Sequence, residues 1–299
     1  MNLLDRVVAG TVPHLPRRLV GAVSRPYIAG ETLDDALAVT RRLNEAGMAT
    51  TMDLLGEHVS NQGQVDAAVA VYRQALSELA RQGLDGNISV KLTHLGLKLD
   101  RPRCVQNVRS LVEAAAASKT MVRIDMEDSS TTSDTLEIYR ELRETHDNVG
   151  VVLQAYLRRS EHDARELARM GARVRVCKGI YREPADIAFQ DGDEINRSFL
   201  QLVEHLLQQG CHVGIATHDE RLVNGAYRIL ETEGGCVGHY EFQMLLGVTE
   251  RLRDGIVAAG HPLRVYVPFG AEWHAYSIRR LRENPQIAGH VFRAMFRKR

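Results

Sequence analysis

Cysteine is scarce in this 299-residue chain: Cys104, Cys177, Cys211 and Cys236 lie far apart and form no CxxC pair. Such sparse, unpaired thiols fit a reduced, intracellular setting and give no sign of a disulfide framework. Net charge is lacking as well. Lys plus Arg and Asp plus Glu both number 38, so the balance asks for neither nucleic acid nor any other polyanion. No apolar run approaches the roughly 20 residues needed to cross a bilayer, and no basic stretch followed by a long apolar one opens the chain. The reading is therefore a cytoplasmic protein that meets a membrane, if at all, from the side. A Pro/Ser-rich linker and a break in composition are missing too, which favours one domain over two.

What is present is repetition. Eight apolar runs bounded by turn residues read as strands: 49–57, 87–96, 121–128, 149–157, 172–180, 212–219, 236–245 and 263–270. Between them lie amphipathic segments such as 61–83, 103–119 and 160–171, several closing on Gly as helix C-termini do. Strand followed by helix throughout predicts an α/β protein of the (β/α)8 TIM barrel class. Residues 1–47 precede the barrel as extra helices, 48–284 form the barrel and 285–299 a C-terminal tail, all within one domain of 1–299.

Alternation within the strands adds a second pattern, because successive side chains in a barrel point to the lumen and to the outer helices in turn. In the third strand Val122, Ile124 and Met126 alternate with Arg123, Asp125 and Glu127; in the second, Ile88, Val90 and Leu92 alternate with Ser89, Lys91 and Thr93. Gln154 and Tyr156, Arg264 and Tyr266, Asp53, His218, Glu241 and Gln243 extend the polar set. Buried charge is costly unless paired, so this lumen implies an internal ion-pair network or a polar ligand. Arg123 and Glu127 are read as partners of one another. Barrel active sites lie at the C-terminal ends of the strands, where Lys91, Asp125, Lys178, Thr217, His218 and Tyr266 fall.

The stretch YSIRRLRENP (276–285) follows the eighth strand closely. At about 100° per residue, Tyr276, Arg279, Arg280 and Glu283 share one helix face. Two guanidiniums reaching over the lumen beside a lysine suit a small carboxylate, since arginine binds that group through parallel hydrogen bonds. The residues alone leave other readings open. Lys178 or Lys91 is a candidate Schiff-base lysine. His218 and Asp219, with His239 and Glu241, are a candidate metal set. A polar interior that only holds a binding scaffold together is a third.

The motif YxxRRxxE at 276–283 resembles the substrate-binding helix of the flavin-dependent proline dehydrogenases, monofunctional bacterial type. SVKL (89–92), IDMED (124–128), VVLQAY (151–156), VRVCKGIYREP (174–184), ATH (216–218), YEFQMLLG (240–247) and RVYVPFG (264–270) resemble that family's strand ends in the same order. The resemblance implies a distorted barrel with FAD across the strand C-termini. It implies that Arg279, Arg280 and Lys91 bind the carboxylate of L-proline, and that Tyr266, Tyr276 and Leu245 pack around the ring. Asp125 would hold Lys91 and the tyrosines, Glu283 would order the arginines, and Glu57 would form an ion-pair gate with Arg279. For the flavin it points to Gln154, Arg175, Lys178, Gly179, Thr217 and His218. The implied reaction is hydride transfer from proline C5 to FAD, giving Δ1-pyrroline-5-carboxylate. A membrane quinone would be the electron acceptor and a pyrroline-5-carboxylate dehydrogenase a partner. Ile180 and Arg182 depart from the family, which commonly has a small residue and sometimes an aromatic at these places. The tail 285–299 reads as a basic amphipathic helix suited to peripheral contact with the inner face of a membrane.

Overall fold

The computed structural model describes residues 20–21, 24–56, 59–232, 239–274 and 276–278. Eight parallel strands close into a barrel in sequence order: β1 (Ala49–Leu54), β2 (Gly86–Val90), β3 (Val122–Ile124), β4 (Val149–Gln154), β5 (Arg173–Cys177), β6 (His212–Ala216), β7 (Tyr240–Leu245) and β8 (Leu263–Phe269). Thr51 aligns with Tyr266 where β1 meets β8, which completes the ring. Around it run α1 (Leu33–Glu45), α2 (Gln62–Arg81), α3 (Arg101–Ala117), α4 (Thr132–Arg143), α5 (Ser160–Arg169), α6 (Gly192–Gln208), α7 (Glu220–Thr232) and α8 (Glu250–Ala258). The fold is thus the expected TIM-like α/β barrel, with α1 ahead of the first strand.

Local chemistry starts the helices where they begin. Thr32 and Asp35 form a reciprocal capping box on α1, and the side chains of Asn61, Asp100 and Asp191 accept N-terminal amides of α2, α3 and α6. Outward strand residues such as Ile88, Val90, Val122, Ile124, Val149, Val174, Ile215 and Val265 are buried against the helices and form the main apolar core. The inward-facing residues can be polar because they satisfy one another across the lumen.

The strands are shorter than the sequence pattern suggests. The second ends at Val90 and the third at Ile124, and the residues beyond them form the loops of the barrel's upper rim. The apolar and polar alternation runs past the last ladder hydrogen bond, because burial continues where strand pairing stops. Asp125 marks the join: its amide still donates to the Val90 carbonyl at 2.9 Å.

The lumen carries the ion-pair network. Arg264 Nε lies 2.8 Å from Glu241, which accepts from Gln243 at 2.6 Å, and Gln243 in turn accepts from Arg175 Nε. Arg123 and Glu127 are not partners of one another. The Arg123 guanidinium donates to the carbonyls of Val151 (3.2 Å) and Arg173 (2.7 Å), whereas Glu127 accepts from the amide (3.0 Å) and hydroxyl of Thr93. Side chains four positions apart on an extended chain stand more than about 10 Å from each other along it, which puts one low in the barrel and one at its rim. Gly150 makes the room, since a Cβ there would come within 2.6 Å of Arg123 Nη1. Tyr156 also leaves the lumen and packs with Leu157 and Ala188. No helix among the described residues is long and apolar enough to cross a membrane.

Candidate active site

A cavity of about 830 Å³ opens at the C-terminal ends of the strands. Its volume is that of a cofactor-sized pocket. Of the site residues expected from sequence, Lys91, Asp125, Gln154, Arg175, Lys178, Gly179, Thr217, His218, Leu245, Tyr266 and Tyr276 all line it. Glu57, Arg279, Arg280 and Glu283 lie outside the described residues, as does the tail 285–299.

Asp125 is the hub. Its Oδ1 accepts from Ser89 and from Arg175 Nη1, both at 2.6 Å, and its Oδ2 accepts from the Tyr266 hydroxyl at 2.7 Å. Lys91 Nζ stands 3.8 Å from Oδ2, an ion pair without a hydrogen bond; its hydrogen-bonded carboxylate is Asp53, at 2.8 Å. Asp53, at the top of β1, also lines the cavity and is absent from the sequence-derived site. Its inward parity was visible, but no pattern in sequence ties a strand-1 aspartate to a strand-2 lysine.

Charge balance sets the ionisation of this cluster. Burial acts to raise the Asp125 carboxyl, yet Arg175 and Lys91, with the hydrogen bonds of Ser89 and Tyr266, hold it below the usual carboxylate range. Burial acts to lower Lys91, and the negative charge of Asp53, with further contributions from Tyr266 and Asp125, holds it well above the usual lysine value. Burial and the same two carboxylates push the Tyr266 phenol well up. At neutral pH the site therefore offers an ammonium, a guanidinium over the Tyr266 ring at 5.2 Å from its centroid, and a neutral phenol.

The opposite side of the cavity is built from β4 to β7. Gln154 Nε2 donates to the Glu127 carbonyl at 2.9 Å, Thr217 Oγ1 accepts the Asp219 amide at 3.1 Å, and His218 Nε2 accepts the Leu245 amide at 2.8 Å. That last bond leaves the proton of a neutral imidazole on Nδ1. Gly179 has φ of 108°, and a Cβ on it would fall 2.1 Å from the Tyr156 ring, so the chain passes flat over that ring. Ile180 also lines the cavity, whereas Arg182 is exposed and does not. Tyr276, on the helical segment after β8, packs against Ile28 and Leu55.

Lys178 pairs with Asp219 at 2.9 Å. Burial acts to raise the Asp219 carboxyl, but the hydrogen bonds of Lys178 and Arg221 bring it from 3.8 down to about 2. A depressed carboxylate contributes stability above its unfolded value and loses it as pH falls through the folded one. Asp219→Asn should therefore cost under about 1 kcal/mol at neutral pH, since the pair is partly exposed. The difference from the parent should vanish as pH falls from about 4 to about 2, which urea unfolding of both proteins across that range would measure. A cost that persists at the acid end would contradict this account.

The same geometry weighs against two of the sequence readings. A Schiff-base lysine needs a depressed pKa, whereas Lys91 is raised and Lys178 is engaged by a carboxylate. Among the described residues no group of three or more His, Cys, Asp or Glu is arranged to hold a metal ion, and Glu241 is committed to Arg264 while His239 is exposed.

Comparison with known proteins gives a consistent result. A family model described as "Proline dehydrogenase" matches residues 36–293. "Proline dehydrogenase 1" of Bacillus subtilis (strain 168) is 31% identical over 275 residues, covering 92% of this chain and 91% of the relative. The "Proline dehydrogenase" of Deinococcus radiodurans is 31% identical over 291 residues, covering 96% and 94%. Among solved structures, proline utilization A from Bdellovibrio bacteriovorus, inactivated by N-propargylglycine, superposes with a TM-score of 0.81 at 24% identity. That likeness is one of fold; it covers 87% of this chain, which spans 32% of the longer protein.

Proposed function

The chain belongs to the proline dehydrogenase family and has that oxidoreductase activity, and from this premise we propose that the cavity above the barrel is where L-proline is oxidised to Δ1-pyrroline-5-carboxylate with FAD as the immediate acceptor. The observation that carries the reading is the buried Lys91–Asp125–Tyr266–Arg175 cluster at the strand ends, whose charged and phenolic groups line an open cavity.

The residues present fit the flavin that the family uses. Cationic and donor groups line the β4–β7 side of the cavity, and the Gly179 backbone lies flat against Tyr156 where any side chain would intrude. Gln154, Arg175, Lys178, Gly179, Thr217 and His218 would hold FAD. Bound there, FAD would supply a two-electron acceptor for the oxidation of the substrate ring.

The chain's own groups do the rest. Lys91 would hold the substrate carboxylate, joined by Arg279 and Arg280 as the family resemblance implies, and so fix which ring carbon is oxidised. Tyr266, Tyr276 and Leu245 pack around the pyrrolidine and exclude water. Asp125 anchors Tyr266 and Arg175 in one arrangement, so the ring pocket is preorganised before substrate arrives. By resemblance to the family, Glu283 would order the arginine pair and Glu57 would pair with Arg279. A tyrosine at position 266, where relatives acting on hydroxyproline tend to have a smaller residue, favours proline over hydroxyproline. Electrons pass onward to a membrane quinone, with the chain at the inner face of the membrane, and the product passes to a pyrroline-5-carboxylate dehydrogenase.

The visible spectrum of the FAD-reconstituted protein, before and after anaerobic addition of L-proline, tests the central statement. Flavin bands that bleach with proline and persist with hydroxyproline are expected. Bands that remain oxidised with proline, or a protein that takes up no flavin, would overturn it.

A further inference from the structure

Two carboxylates flank Lys91, and they are employed differently. Asp125 spends its oxygens on Ser89, Arg175 and Tyr266 and reaches Lys91 only at 3.8 Å. Asp53 gives Oδ1 to Lys91 Nζ at 2.8 Å, and its buried Oδ2 has no hydrogen-bond partner among the described residues. Its side chain is 1% exposed. A buried carboxylate of this kind is costly, and an ion pair in such a place is commonly no more stable than an apolar pair of the same volume. The charge on β1 therefore does little for the fold beyond what it does to Lys91.

What it does is directional. An ammonium has three donors on a flexible stem. One strong bond from the wall of β1 fixes the stem across the lumen, and the two remaining N–H groups are left for the cavity that Lys91 lines. Tyr72 lies behind Asp53, with its hydroxyl accepting the Leu54 amide at 3.3 Å, and so braces the end of β1 that carries the carboxylate.

We propose that Asp53 is the positioning residue for Lys91: its hydrogen bond to Nζ aims the ammonium at the substrate carboxylate and leaves two donors to receive it. This rests on the reading that Lys91 binds that carboxylate, and the test separates the two statements. In the FAD-loaded enzyme, Asp53→Asn should raise the KM for L-proline at least about tenfold, with kcat changing less than about threefold. Calorimetric titration with cyclopentanecarboxylate, which carries the carboxylate but cannot be oxidised in the same way, should show the same weakening. Pyrrolidine, which lacks the carboxylate, should bind both proteins equally. In a Lys91→Met background, Asp53→Asn should add less than about twofold, because the two act as one unit.

If Lys91→Met leaves KM unchanged, the reading of Lys91 itself is wrong. If Lys91→Met raises KM and Asp53→Asn does not, or if Asp53→Asn costs as much in the Lys91→Met background as in the parent enzyme, the inference about Asp53 fails alone. Asp53→Glu keeps the charge and shifts the oxygens. It should raise KM for proline while retaining flavin, which preserves the test should the asparagine variant fold poorly; an unchanged KM there would also overturn the proposal.

Discussion

Asp125→Ala is expected to remove at least about 100-fold of kcat/KM and, at the same time, to lower the stability of the fold by about 3–5 kcal/mol. Three side chains lose an acceptor at once, Ser89, Arg175 and Tyr266, and Lys91 loses one of its two neighbouring carboxylates. Arg175 would keep its bond to Gln243 and its place over the Tyr266 ring but lose its counter-charge, which leaves a buried guanidinium unpaired by any carboxylate among the described residues. Tyr266 would lose the bond that sets its ring, so the loss of order reaches the face on which the substrate ring is proposed to pack. Asp125→Asn should be intermediate, because the amide oxygen still accepts from one donor while its NH2 group opposes another. Steady-state kinetics and urea unfolding of both variants measure the two effects. An alanine variant within about tenfold of the parent enzyme would mean that the cluster is only a structural ion pair.

Gly179→Ala should strip the protein of flavin while leaving the barrel folded. An alanine at φ of 108° is strained by about 1–3 kcal/mol. Its Cβ would also overlap the Tyr156 ring, whose Cδ1 lies 2.1 Å from the ideal position. The ring is packed with Leu157 and Ala188, and the Tyr156 amide bonds to the Lys178 carbonyl at 2.9 Å, which resists its retreat. The loop must therefore lift, and it carries the proposed flavin residues Lys178 and Gly179 with it. A loss of about 2 kcal/mol or more would weaken FAD binding roughly 30-fold. The ratio of flavin to protein absorbance after gel filtration reads this directly. Combining Gly179→Ala with Tyr156→Ala should restore part of the binding by removing the obstruction; a double variant no better than the single one would place the fault in backbone strain alone.

Much of the molecule was legible before its structure. Amphipathic segments between apolar runs point to a parallel sheet, because a parallel strand needs a crossover of helical length before the next one, and the eightfold repeat within one domain points to a barrel. Parity along the third strand put Arg123 and Asp125 in the lumen, and both are buried there. Partner choice was not legible. Arg123 and Glu127 have opposite charges and the same parity, yet they stand at different heights and bond to different groups. Asp53 and Lys91 are 38 positions apart and meet only because β1 and β2 are adjacent in register, with Asp53 opposite Ser89. Tyr156 kept its parity on paper but turned out of the lumen once β4 had ended.

The sequence alone determined the class of fold, the polar character of the lumen and the rim on which a site would be built. These depend on periodicity and composition, which are local properties of the chain. The tertiary structure alone decided which carboxylate holds Lys91, which residues Arg123 and Glu127 address, and why residue 179 must be glycine. Those outcomes depend on distances between strands and loops far apart in sequence, where a shift of about one or two ångströms separates a hydrogen bond from a screened ion pair.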